Sequence, residues 1–215
     1  MKAAHFQQLL DEGASFLRFG QVNEARACLR RAQDLKLRHA PSLLDLAKSF
    51  YRLQDKDAAD IVIERAIAIG KKEPVFQLTL AQFYMQVERF EDAIAILGSL
   101  IQRPDVRDEI KSVAGSNRAS CLKTLGRLQD AIDQYRSIEK QSFGTLEFHY
   151  NFANALLQGG HVNDAIENYI QALKIDSAND LILQNLAEAY SLYGDLRSAE
   201  AYFTRILERK KDNHE

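Results

Sequence analysis

The chain has 215 residues, 27% of them charged, and a formal net charge of −2. Such an even balance excludes a polyelectrolyte binder, and no basic stripe with interleaved aromatics points to nucleic acid as a partner. No apolar run is long enough to span a membrane, and residues 1–16 lack the uninterrupted apolar core of a signal peptide; the expected setting is the cytoplasm, as a soluble protein without membrane insertion, unless a leader was removed before Met1.

In chain order, a first helix is predicted from about His5 to Phe19, turned at Gly20 into a second from about Asn23 to Leu37. Pro41 and Pro74 mark first helical turns, where a missing N–H has no intrahelical partner to lose. After Arg103-Pro104-Asp105 comes an inserted DEIK at 108–111, and four residues are close to one helical turn. The helix ending near Thr124 is therefore expected to be one turn longer at its start, with a loop as the other reading. From Leu146 to Gln158, Phe148, Phe152, Ala155 and Leu156 recur at helical spacing until Gly159-Gly160, because glycine reaches the positive φ of a tight turn. A helix from about Asn163 to Lys174 then gathers Ala165, Ile166, Tyr169, Ile170 and Leu173 on one face. Residues 177–180 loop and cap the helix that follows.

One residue ties these pairs together. Ala165 recurs 34 residues away as Ala131 and Ala199, and at the same step Ala25 leads to Ala59 and Ala93. Only the step from Ala93 to Ala131 is longer, by the four inserted residues. Four residues after each alanine stands a large apolar side chain: Leu29, Ile63, Leu97, Tyr135, Tyr169 and Phe203. A small residue followed one turn later by a knob lets two helices approach closely.

A helix–turn–helix with this period resembles the tetratricopeptide repeat family. The resemblance covers six tandem repeats: 6–39, 40–73, 74–107, 112–145, 146–179 and 180–213. The family's first-helix pattern is matched by Leu43, Leu46, Ala47 and Phe50, and by Leu183, Leu186, Ala187 and Tyr190. The fourth repeat departs most, with Gly115 in place of a bulky residue and Arg118 in place of an aliphatic one. Tryptophan is absent, and the proline that often closes a repeat is mostly missing. The resemblance implies an all-α, right-handed superhelical solenoid, organised as a single array over residues 1–215.

Chemistry-bearing clusters are scarce. Cys28 and Cys121 lie on different repeats, and solenoid repeats contact mainly their neighbours, so buried thiols are expected rather than a bridge. His5, His39, His149, His161 and His214 include no pair at metal-ligand spacing; His149 fills the bulky slot of its repeat as a core residue, and His161 lies in a turn. Glu64, Asp133 and Glu139 fall on faces that the pattern leaves in solvent, and the glycines mark turns rather than a phosphate loop. The expectation is a protein without catalytic residues, metal or cofactor.

In this family the first helices line a concave groove. Read that way, the first three repeats align Leu10, Leu44 and Leu78, with Leu17, Tyr51 and Met85 beside them. Arg18, Lys48 and Arg52 interrupt this strip, together with Asp11 and Asp45. Two readings stay open: a groove for an apolar or amphipathic peptide, or leucines half buried between adjacent helices. The last three repeats place Asn117, Asn151 and Asn185 at their sixth residues, with Tyr150, Asn154 and Gln184 nearby. This is similar to the asparagine ladder in the repeat array of O-linked N-acetylglucosamine transferase, where side-chain amides bind peptide backbone. An amide carries both donors and an acceptor and can pair with a peptide unit whatever the ligand's side chains. The other reading is that these amides only tie helix to helix. The clamp of some co-chaperone repeats, which takes an acidic C-terminal peptide, is not expected, since Tyr150 stands where its first lysine belongs.

The expected function is a protein–protein interaction scaffold holding a peptide segment of a partner. The alternatives are a recruiting arm of a larger glycosyltransferase- or sulfotransferase-like enzyme, and a self-assembling scaffold. Self-association would use the last repeat, whose final helix carries Tyr202, Phe203, Ile206 and Leu207.

Overall fold

The repeated alanines set the spacing of the helices. Ala25, Ala59, Ala93, Ala131, Ala165 and Ala199 are all buried, because at each the partner helix approaches too closely for a longer side chain. The computed structural model describes residues 2–139 and 144–212, the side chains as far as Arg209. His214, residues 140–143 of the fourth repeat and residue 213 of the last lie outside the described residues. Among the described residues there are twelve helices and no strand: α1 (Lys2–Arg18), α2 (Val22–Asp34), α3 (Ala40–Arg52), α4 (Lys56–Gly70), α5 (Pro74–Gln86), α6 (Phe90–Gln102), α7 (Asp108–Thr124), α8 (Leu128–Ile138), α9 (Leu146–Gln158), α10 (Val162–Ile175), α11 (Asp180–Tyr193) and α12 (Leu196–Asp212). The fold is an all-α repeat solenoid.

The chain divides into two units, Met1–Leu100 and Ile101–Glu215. In the first, α1 packs on α2 and α3 on α4, while α1, α3 and α5 lie side by side. In the second, α7, α9 and α11 each pack on the helix that follows, and α9 also lies beside α7. The odd-numbered helices thus supply one face of each unit.

The insertion is helical. The 17 residues of α7 exceed the 13 of α5 and α9 by one turn, so DEIK extends the helix at its start, as the spacing predicts. Gly115 also finds its reason: a Cβ there would stand 2.8 Å from Ile138 Cγ2, so the close approach of α8 excludes a side chain. Arg118, its unusual neighbour, donates to Gln134 Oε1 on α8.

The turn inside each pair falls at one register position, held by Gly20, Gln54, Glu88, Gly126, Gly160 and Gly194. All six have φ between 58° and 92°. Gln54 and Glu88 therefore adopt a left-handed conformation that L side chains disfavour. Asp55, Thr145 and Asn179 cap the starts of α4, α9 and α11 by accepting the backbone N–H of the third residue on.

The knobs follow the pattern with one exception. Leu29, Ile63, Leu97, Tyr135 and Tyr169 are buried, whereas Phe203 remains 40% exposed. Tyr135 is closed over by the next first helix, stacking on Phe152 at 5.3 Å and meeting Phe148 edge-on at 5.8 Å. Cys28 and Cys121 are free and buried, and burial pushes the Cys121 thiol up to about 11. His149 is only half buried, and its Nδ1 lies 3.0 Å from Asn168 Oδ1.

Candidate functional site

In the second unit the candidate face belongs to α9 and α11, with α7 beside α9. Its centre is a hydrogen-bonded cluster. Tyr169, a buried knob on α10, needs a partner for its hydroxyl, and it donates to Asn154 Oδ1 at 2.5 Å. Burial holds this phenol far above its ordinary range, so it remains a neutral donor. Asn185 on α11 donates through Nδ2 to the same Asn154 Oδ1 at 3.1 Å and to Tyr150 OH at 3.3 Å.

The valences left over are informative. Both N–H groups of Asn185 are used, and its Oδ1 is left to accept. Asn154 has spent Oδ1 and keeps two donors; Tyr150 keeps its O–H proton. All three residues are half buried, so their orientation is fixed while their remaining valences reach the surface.

The expected ladder residues are not equivalent. Asn185 is tied across helices, Asn151 makes no side-chain hydrogen bond among the described residues, and Asn117 Nδ2 is buried without a partner among them. Gln184 is exposed and donates to Glu188 Oε1 at 3.0 Å. Lys123, in the last turn of α7, is half buried, and desolvation lowers its pKa.

The corresponding face of the first unit is charged. Leu10 and Leu44 are buried in the helix packing, and Leu78 is half buried, so these leucines offer little surface to a ligand. Above Leu44, Lys48 Nζ donates to Gln86 Oε1 at 2.7 Å, bridging α3 to α5. The bridge separates two shallow clefts: one of about 190 Å³ beside Asp45, Thr79 and Gln82, the other of about 300 Å³ beside Tyr51 and Arg52. At one side, Arg89 holds Tyr51 OH at 3.1 Å and Asp60 Oδ1 at 2.8 Å while lying 4.6 Å above the Tyr84 ring.

Sequence reasoning missed Gln82 and Gln86, although they stand one period after Lys48 and Arg52 and the repeat register could have found them. It read Tyr169 only as a core knob; the need of a buried phenol for an acceptor was the available signal. Among the described residues, no three His, Cys, Asp or Glu side chains are grouped so as to hold a metal, and no helix is long and apolar enough to cross a membrane.

Comparison with known proteins agrees with this architecture. Tetratricopeptide repeat models match residues 10–74 and 182–213, and a TPR repeat model matches 147–194. The tetratricopeptide repeat protein 30 homolog of Drosophila melanogaster is 24% identical over 176 residues, covering 80% of this chain. This chain spans 25% of that relative's length. Among solved structures, the type IV pilus biogenesis factor PilW superposes with a TM-score of 0.67 at 15% identity, covering 94% of this chain and 91% of its own. MamA from Desulfovibrio magneticus RS-1 gives 0.66 at 14% identity, covering 80% and 96%. PilF from Pseudomonas aeruginosa gives 0.62 at 16% identity, covering 95% and 91%. The sequence matches at both ends of the chain and the paired helices between them show that this protein carries tetratricopeptide repeats.

Proposed function

We propose that the protein is a non-catalytic scaffold of six repeats in one array, and that the amide-rich face of α7, α9 and α11 grips the backbone of an extended peptide from a partner protein. Tetratricopeptide repeat proteins generally mediate protein–protein interaction; the peptide mode is the specific step. The observation that carries it is the Tyr169–Asn154–Asn185–Tyr150 cluster, which spends half of each amide on orientation and leaves donors and an acceptor together. A peptide unit needs one of each, and a preorganised set binds it without first ordering its own side chains. Neighbouring helices pack about 8–10 Å apart, and an extended chain rises about 3.3 Å per residue. Successive rungs would then meet roughly every third peptide residue.

The test is capture from lysate by the full chain and by Asn151→Ala/Asn185→Ala, with mapping of the bound segment. The variant is expected to lose a partner that the unaltered protein retains, while its helix content stays unchanged. Retention of every partner at temperatures where the variant remains folded would move the site off this face.

A further inference from the structure

A further cavity is on neither of these faces. It is a cleft of about 1000 Å³ in the first unit, between α2, the linker that follows it, and α4. Its floor is apolar where a surface helix has no need to be. Ile61 is 53% exposed and Ile69 45%. They lie on one side of α4, eight residues and so about 12 Å apart along the axis. In the other second helices the position of Ile61 is filled by Ala27, Ala95, Asp133, Glu167 and Ala201. The isoleucine is thus not part of the repeat's packing requirement.

The rim is cationic. Arg30, Lys36, Arg38 and Arg65 line it, against Asp34, Asp55 and Asp57. Asp55 is already engaged: it caps α4 through the Ala58 N–H and lies 3.7 Å from Arg26 and 3.9 Å from Arg30. Arg65 is held by the Gln33 carbonyl at 3.3 Å. Lys36 and Arg38 have no ion-pair partner among the described residues. Lys36 sits at φ 48°, where the linker bends.

We infer that this cleft docks an acidic amphipathic helix of a partner protein. Two apolar side chains about two turns apart on that helix would cover Ile61 and Ile69, and its carboxylates would pair with Lys36 and Arg38. Charge selects the partner: with Asp55 set against Arg30, the cations Lys36, Arg38 and Arg65 face two carboxylates, Asp34 and Asp57, so an acidic helix is favoured at the mouth over a basic one. A concave wall containing Asp34 and Asp57 also suits a discrete helix better than a continuous anionic surface such as a lipid bilayer.

The probe is a labelled synthetic helical peptide with leucine at i, i+4, i+7 and i+11 and glutamate on its remaining face; its controls are the same peptide with lysine for glutamate and phosphatidylserine vesicles. Anisotropy with the full chain is expected to show binding of the glutamate peptide alone, weakening as salt is raised. Ile61→Asp and Lys36→Glu/Arg38→Glu should each weaken it by about tenfold or more, whereas Asn151→Ala/Asn185→Ala should leave it unchanged. The side chains of Ile61, Lys36 and Arg38 are exposed, and an unaltered melting curve would show that the variants fold. Hydrogen exchange should slow on α2 and α4. Equal binding of both peptides, binding indifferent to either cleft variant, protection on the α9 and α11 face, or a preference for vesicles over peptide would each overturn the inference. Loss of the proposed backbone-binding function would leave this result untouched, so the two fail separately.

Discussion

The two units are built from the same pair of helices, yet they use different chemistry at equivalent positions. The knobs of the first are Leu29, Ile63 and Leu97; those of the second are Tyr135, Tyr169 and Phe203. The inner face of the first carries Asp45, Lys48 and Arg52, and that of the second carries Asn151, Asn154 and Asn185. These differences are connected. At Tyr169 the knob brings a hydroxyl into the core, and the Asn154 amide that satisfies it reaches out to the inner face. In the first unit no such link exists; its inner face is bridged by Lys48 and Gln86, and at one side Arg89 ties Tyr51 to Asp60. The lesson is that a repeat fixes which positions are buried, while the identity of the buried residue decides what the surface can present.

The sharpest way to break this comparison is at the packing that both units share. Ala165→Leu should destabilise the second unit by about 1–3 kcal/mol, because an added side chain must push α9 and α10 apart. Thermal unfolding followed by hydrogen exchange should place the loss in residues beyond 101. An equal effect from an exposed alanine such as Ala201 would show that close approach is not the cause.

Alkaline titration sharpens the contrast between the knobs. Burial raises the pKa of both Tyr135 and Tyr169 above the unfolded value. The folded state therefore holds protons that the unfolded chain releases, and the stability is fully present below the tyrosine range of about 10 and lost as pH rises through it. The second unit should thus lose stability above that pH. Tyr135→Phe/Tyr169→Phe should reduce the pH dependence in chemical denaturation curves, leaving the part that belongs to the buried Cys121 thiol and to Tyr190.

Taken singly, these two tyrosines should differ. Tyr169→Phe removes a hydrogen bond to Asn154 and should cost about 0.5–1.5 kcal/mol. The Tyr135 hydroxyl has no partner among the described residues, so Tyr135→Phe should be neutral or stabilising. Matching losses would mean that the Asn154 bond has no special role. The smallest effect is expected at the turns: Gln54→Gly and Glu88→Gly relieve a positive φ that glycine already occupies at all three turns of the second unit. Each should raise stability by on the order of 1 kcal/mol or less, since glycine also adds entropy to the unfolded chain.

Much of the fold was legible in the sequence because its signals are local. The spacing of Ala25 through Ala199, the glycines at 126, 160 and 194, and the one-turn insertion before Ser112 each declare themselves within a helix or a turn. The candidate site was legible as a row but not as a network. The register aligned Asn117, Asn151 and Asn185, yet only Asn185 enters the central cluster, whose bonds join Tyr150, Asn154 and Tyr169 across three helices. Such bonds depend on side-chain rotamers and helix offsets that no periodicity encodes. The leucines show the same limit: register placed Leu10, Leu44 and Leu78 in line, and the lean of neighbouring helices buried two of them. The cleft over Ile61 went unread because one isoleucine on a second helix departs from the pattern at a single position.

In the proposed function the amides of the second unit read a peptide's backbone rather than its side chains. The direct measurement is calorimetric titration of the captured segment, resynthesised with single backbone ester replacements at each position in turn. Several-fold weakening, matching about 0.5–1.5 kcal/mol per lost bond, is expected at positions roughly every third residue. Alanine replacement of the segment's side chains should change affinity less, and in Asn151→Ala one of the ester effects should vanish. Binding indifferent to every ester, and lost instead on alanine replacement, would contradict the claim.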